Sequence, residues 1–204
     1  MKILRQFLLA VFLVIVTLSI WMANYLGAFK SVDISESERS AIRMIYKDHT
    51  GAYYKIVSTI EEVEKWAKAH DVDCKESFGE YIDDANVVEE SRLRSRGGCI
   101  VKDFPTDLPA EFKTQEIPAR KYVTAVFEGS PGIGPIKVYP KAESYMKEHH
   151  LVMDGPVIEI YVIHSPKEMT TTYLFPLAAS TPASSANTEA TPATETSPAA
   201  NETH

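Results

Sequence analysis

Two short helical stretches repeat one another at a constant shift of 79 positions, which constrains the chain to a fold with two like halves. The first is Glu62-Val63-Glu64-Lys65-Trp66-Ala67-Lys68-Ala69-His70, and the second is Lys141-Ala142-Glu143-Ser144-Tyr145-Met146-Lys147-Glu148-His149. Val63 matches Ala142, Trp66 matches Tyr145, Ala67 matches Met146 and His70 matches His149. These positions recur at i, i+3, i+4 and i+7, which is one face of a helix. Ser58 with Glu61 reads as a capping box opening the first helix near Thr59, and Pro140 as the first residue of the second.

Strand signals flank both helices in the same order. The first half has a strand from Ile42 to Tyr46, a turn at His49-Thr50-Gly51, the helix, and strands near Ser77 to Ile82 and Gly98 to Lys102. The second has Tyr122 to Phe127, a Gly/Pro-rich connection, the helix, Val157 to His164, and Thr171 to Phe175. Each half is therefore β-α-β-β, and the whole reads as an α+β domain over residues 41–177 with a mainly antiparallel sheet. The helices are expected to cover one face. The opposite, concave face is expected to carry the functional side chains.

The most informative strand is Gly155-Pro156-Val157-Ile158-Glu159-Ile160-Tyr161-Val162-Ile163-His164. Ile158, Ile160 and Val162 form a plain apolar face, while Val157, Glu159 and Tyr161 form the other. A carboxylate among β-branched residues is costly unless something pairs with it. Pairing with Arg120 or Lys121 on a neighbouring strand is the structural explanation for Glu159; a ligand is the functional one. The 79-residue shift also sets Glu80 opposite Glu159, but Glu80 continues into the acidic stretch Asp83-Asp84 and reads as structural.

A net charge of −7 argues against nucleic acid, because no basic stripe is available for phosphates. Cys74 and Cys99 are too few for a disulfide scaffold; they form one bridge in an oxidising compartment or stay as buried thiols. No metal or cofactor site is expected. His149 and His150 are adjacent on a helix and point about 100° apart, so they do not share an ion. Gly129-Ser130-Pro131-Gly132-Ile133-Gly134 lacks the Lys of a phosphate-binding loop.

The flanks differ in kind from the domain. Residues 1–29 read as a transmembrane anchor, because Gln6 to Phe29 carries no charge and is long enough to cross a ~30 Å hydrocarbon core. Trp21 and Tyr25 suit the interface, and a signal peptide is the rival reading. Lys2 and Arg5 before the span place the N-terminus in the cytoplasm and the domain outside. Residues 30–40 read as a polar stalk. Residues 178–204, rich in Ser, Thr, Pro and Ala, read as a disordered tail.

The doubled β-α-β-β unit resembles the GyrI-like small-molecule-binding domains, the effector domains of AraC-type and MerR-type regulators. Tyr122-Val123-Thr124-Ala125-Val126-Phe127-Glu128-Gly129 looks like that family's opening strand, and Gly155 to Tyr161 like its strand bearing the pocket carboxylate. The anchor, Tyr46-Lys47-Asp48-His49-Thr50-Gly51-Ala52-Tyr53 and the polar tail are similar to a membrane-anchored, testis-expressed branch that serves as receptors for autophagy of the endoplasmic reticulum. No aromatic residue follows Phe175, so the receptor motif of that branch has no counterpart here. The resemblance implies a lipophilic or cationic organic ligand, with Glu159 as counter-charge and Tyr161, Tyr54, Tyr122 and Phe127 as walls. A membrane-surface adaptor without ligand, and a hydrolase using Glu159 as general acid or base, are the alternatives.

Overall fold

Eight strands form one antiparallel sheet, and two helices pack on one of its faces. The computed structural model describes residues 2–165 and 168–178. Its elements run α1 (Lys2–Leu26), β1 (Val32–Arg39), β2 (Ile42–Thr50), α2 (Ile56–Ala69), β3 (Glu76–Tyr81) and β4 (Arg94–Val101). They continue with β5 (Lys113–Ile117), β6 (Arg120–Glu128), α3 (Gly134–Glu148), β7 (Val157–Ser165) and β8 (Glu168–Pro176). The spatial order is β1-β6-β8-β7-β3-β4-β2-β5. The like halves are β2-α2-β3-β4 and β6-α3-β7-β8; β3 and β7 meet at the centre, and β1 and β5 form the edges.

The repeat is visible in the helices. Val63, Ala67 and Ala142 are fully buried. Trp66 stacks on His70 with ring centroids 4.7 Å apart, and Tyr145 lies on His149 at 4.2 Å. Asp71 and His150, which follow the two helices 79 positions apart, both adopt φ = 55°. The shift does not carry into the strands. Gly79 faces Glu159 and Glu80 faces Ile158 across the central pair, so Glu80 and Glu159 lie on opposite faces. Like residues of the two halves share a face only if the strand shift is even, and a one-residue slip turns every side chain over.

The face opposite the helices is buried without a covering layer. Edge strand β5 joins β6 through Pro118 and Ala119 alone, yet six inter-strand steps separate them in the sheet. At ~4.8 Å per step a flat sheet would set them nearly 30 Å apart, far beyond a two-residue link. The sheet therefore curls, and its concave side closes on Met44, Phe78, Tyr122, Ile158, Ile160 and Leu174, all essentially inaccessible. Glu80 is buried at 2% exposure on this side and pairs with Arg96 (Nη1–Oε2 2.9 Å). The other face carries Val123, Ala125, Phe127, Tyr173 and Phe175 under α3, and Ile45, Cys99 and Val101 under α2.

Several sequence expectations need correction. The segment expected as a stalk, residues 30–40, is mostly β1, paired with β6 from Val32–Phe127 to Arg39–Arg120. Its polar sequence reflects an edge position, where charge discourages pairing with other chains. Helix α2 starts at Ile56, before the supposed capping box, and Ser58 Oγ donates instead to the carbonyl of Lys55 (3.0 Å). Helix α3 starts at Gly134 with Pro135 in its first turn, so Pro140 lies inside it. Pro140 is exposed, as is Ile136, whose carbonyl loses its helical partner on the solvent side. Cys74 and Cys99 are joined in a disulfide with Cα atoms 5.3 Å apart, tying the segment after α2 to β4. The expected tail beyond residue 178 lies outside the described residues.

Helix α1 buries none of its side chains. Its 25 residues are long and apolar enough to cross a membrane, a property shared by membrane spans and signal sequences.

Candidate functional site

Glu159 sits at the centre of the sheet, on the face that carries both helices rather than the concave face. It is 3% exposed. Its strand neighbours on that face are Gly79 of β3 and Tyr173 of β8. Gly79 has no side chain to cover the floor, and the Tyr81 hydroxyl occupies that space, 3.0 Å from where a Cβ would stand.

Five phenols form a chain and a wall around the carboxylate. Tyr139, on the inward side of α3, donates to Oε1 (3.0 Å), and Tyr161 donates to Oε2 (3.1 Å). The hydroxyls of Tyr81 and Tyr161 are 2.8 Å apart. Each phenol has one proton, and that of Tyr161 is committed to Glu159, so Tyr81 donates to Tyr161 when Glu159 is ionised. Tyr53 packs edge-on against Tyr81 at 4.8 Å and donates to the carbonyl of Asp83 (2.6 Å). Tyr139 is seated edge-on against Tyr173 and Phe175, at 6.1 and 5.4 Å. Among the described residues the buried hydroxyl of Tyr173 makes no hydrogen bond of normal geometry.

Among the described residues no cation compensates the carboxylate. Arg120 turns to Asp154, where Nη2 donates to Oδ2 (3.2 Å) and to the backbone carbonyl (2.9 Å), and also reaches the carbonyl of Leu177 (2.8 Å). Lys121 is an exposed register partner of Glu38. Among the described residues Glu159 has no ion pair, and the pairing expected with Arg120 or Lys121 does not form. Burial pushes its carboxyl up to about 7, against the opposing pull of the Tyr139 and Tyr161 hydrogen bonds. Burial and the nearby Glu159 charge in turn hold the Tyr139 and Tyr161 phenols well above their ordinary range.

Of the five residues expected at a binding site, the structure brings Glu159 and Tyr161 together. Tyr54 is 73% exposed and points away; its neighbour Tyr53 points inward. Tyr122 is buried in the concave core on the opposite face. Phe127 lies on the correct face, but in the core under α3, two strands from β7. Tyr139, Tyr81 and Tyr173 were not anticipated. Among the described residues no group of three or more His, Cys, Asp or Glu is placed to hold a metal ion. A shallow recess lined by Ile34, Pro140, Lys141, Ser144, Tyr145 and Glu148 lies along the β1 side of α3 and excludes Glu159.

Comparison with known proteins bears on this arrangement. A family model described as the GyrI-like small molecule binding domain matches residues 33–178. Among solved structures, the EcmrR C-terminal domain is similar with a TM-score of 0.59 at 15% identity, covering 72% of this chain and 98% of that one. EcmrR in an EcmrR–DNA complex gives 0.60 at 15% identity, covering 86% of this chain and 68% of that one. A hydrolase encoded by lin2189 from Listeria innocua gives 0.50 at 14% identity, covering 76% and 98%. At such identities the likeness is one of fold. No curated protein matches the sequence.

Proposed function

Because this chain belongs to the GyrI-like small-molecule-binding domain family, we propose that it binds a lipophilic organic cation with Glu159 as the counter-charge. One observation carries the reading: Glu159 is buried among tyrosines, and its only described hydrogen-bond partners are neutral phenols. A bulky cation of low hydration cost supplies the missing charge. It also gains cation–π contact with the rings of Tyr139, Tyr161 and Tyr81. The phenols of Tyr139 and Tyr161 hold both carboxylate oxygens, so a ligand reaches the charge by displacing at least one of them.

Residues 31–178 contain all eight strands and both packed helices, and α1 contributes nothing buried. That fragment is the material for the test. Tetraphenylphosphonium is expected to raise its melting temperature by mass action, and Glu159→Gln to abolish the rise while folding as well as the parent. Equal shifts in both proteins, or none in either across a panel of lipophilic cations, would leave the adaptor reading in its place.

The raised carboxyl of Glu159 favours a second reading. A group that titrates near 7 beside phenols suits general acid/base chemistry on a bound ester or strained ring. Turnover lost in Glu159→Gln without loss of binding supports it. As to location, Lys2 and Arg5 lie in the first turns of α1, before its uncharged run, and a bridge between Cys74 and Cys99 persists in oxidising compartments, so the domain is proposed to lie on the non-cytoplasmic side.

A further inference from the structure

Helix α1 does not end in a free linker. Its last turn closes with Gly27 at φ = 83°, with the Ala28 N–H bonded to the Ala23 carbonyl (2.9 Å) and the Gly27 N–H to the Asn24 carbonyl (3.1 Å). That is a Schellman end, for which glycine is the favoured residue. The domain supplies donors to further carbonyls at this end. The Ser130 N–H donates to the Leu26 carbonyl (3.0 Å), and Lys137 Nζ donates to those of Gly27 (3.3 Å), Ala28 (2.6 Å) and Lys30. A positive charge at a helix C-terminus is also favourable to the helix dipole. The backbone of Gly129 comes so close that a Cβ there would stand 3.0 Å from the Leu26 carbonyl and 2.5 Å from the Phe127 ring.

The loop at this joint is uncharged, bordered by Glu128 and Lys137. From Gly129 to Ile136 the chain reads Gly-Ser-Pro-Gly-Ile-Gly-Pro-Ile, with no charged residue. Ile136 is 75% exposed and Phe29 is 71% exposed. Trp21 and Tyr25 stack on the last turns of α1, at the level where aromatic side chains meet lipid headgroups. Leu26 rises only ~1.5 Å beyond Tyr25 along the helix axis. A loop bonded to the Leu26 carbonyl therefore leaves no thickness of water between domain and bilayer.

We propose that Gly129–Ile136 and Phe29 form a seating surface that rests in the headgroup layer of the bilayer α1 crosses, with Phe29 and Ile136 inserted. The inference rests on α1 being a membrane span rather than a cleaved signal. It fixes the orientation of the domain and pins the first turn of α3, the helix that carries Tyr139.

Val57 supplies an internal control. It is the counterpart of Ile136 at the 79-residue shift and is also apolar and exposed, at 55%. All neighbouring strands are antiparallel, and β2 and β6 stand five steps apart, so they run in opposite directions. Helix α2 consequently begins at the opposite end of the sheet from α3 and from α1. The test uses the full chain in nanodiscs of phosphatidylcholine and phosphatidylglycerol. Nitroxide labels go on Ile136→Cys, Phe29→Cys and Val57→Cys, with the native cysteines held in their bridge. Electron paramagnetic resonance then compares collision with oxygen, which concentrates in lipid, against a water-soluble nickel chelate. The labels at 136 and 29 should favour oxygen, and the label at 57 nickel. Disc-bound protein in which positions 136 and 57 behave alike overturns the seating surface while leaving α1 a span. A chain that fails to enter the discs overturns both.

Discussion

The phenol of Tyr139 on α3 donates to Glu159 Oε1 on β7 across 3.0 Å, so a helix of the second half is bonded to a charge at the sheet centre. On the far side Tyr161 and Tyr81 continue the chain towards Tyr53, just before α2. The two halves thus meet through one carboxylate and its phenols. Each of the following expectations concerns that arrangement or the elements that support it.

Glu159 makes stability depend on pH in a definite sense. Its folded carboxyl titrates at about 7, above the ordinary value of 4.5, so the native state holds the proton more tightly than the unfolded chain. The favourable contribution is complete below pH ~4.5 and is lost as pH rises through about 7, by roughly 3 kcal/mol in all. Burial pushes Glu80 in the same direction. Urea melts of Glu159→Gln from pH 4 to pH 8 should therefore show a reduced slope, not a flat line. At pH 8 the variant should match or exceed the parent, by up to a few kcal/mol. A parent stability that climbs between pH 5 and 7 would contradict the assignment.

Removing a phenol should act through the carboxylate. Tyr139→Phe retains the ring contacts with Tyr173 and Phe175 but deletes a bond to Glu159 that favours the ionised form. The variant should lose about 1–2 kcal/mol at pH 8 and less at pH 5, with the titration of Glu159 moving upward. Urea melts read the loss of stability, and carboxyl resonances in a carbon-13 spectrum read the titration.

Arg96 and Glu80 form the partly buried pair of the concave face, with Arg96 also bonded to Gln115 (2.9 Å) and over the Tyr46 ring (5.1 Å). Arg96→Met leaves the Glu80 carboxylate buried without its partner and should cost roughly 3–5 kcal/mol at neutral pH. Adding Glu80→Gln should recover much of that loss. Additive losses in denaturant melts would show that the two side chains do not act as a pair.

The Cys74–Cys99 bridge closes a loop at a sequence separation of 25. Its reduction should destabilise the domain by about 3 kcal/mol, chiefly by freeing the unfolded chain. In cells, both thiols should resist alkylation until reductant is added if the domain lies outside the cytoplasm. Free thiols in freshly lysed cells would put it on the other side.

The sequence discloses some of this plan and hides the rest for physical reasons. The doubled β-α-β-β order and the buried helical face of the repeat follow from apolar spacing, and a lone carboxylate in an apolar strand marks Glu159 and Tyr161 directly. Tyr139 was hidden because Pro140 reads as a helix start, although its missing N–H here faces a solvent-side carbonyl. Tyr122 and Phe127 lie an odd number of residues apart on one strand and cannot share a face, which alone bars one of them from the site. Tyr53 and Tyr54 are adjacent, and only tertiary packing decides which turns inward. The edge strand β1 shows weak apolar alternation, since beyond Ile34 it carries Ser35-Glu36-Ser37-Glu38-Arg39.

The most direct test of Glu159 as counter-charge is the proton released on ligand binding. A carboxyl that titrates at about 7 is half protonated at pH 7, and a bound cation should drive it fully to the ionised form. Calorimetric titration of residues 31–178 with tetraphenylphosphonium, in buffers of different ionisation enthalpy, should show about half a proton released per ligand at pH 7. Glu159→Gln should bind far more weakly and release none. Binding that survives the substitution, or that proceeds in the parent without proton release, would contradict the account.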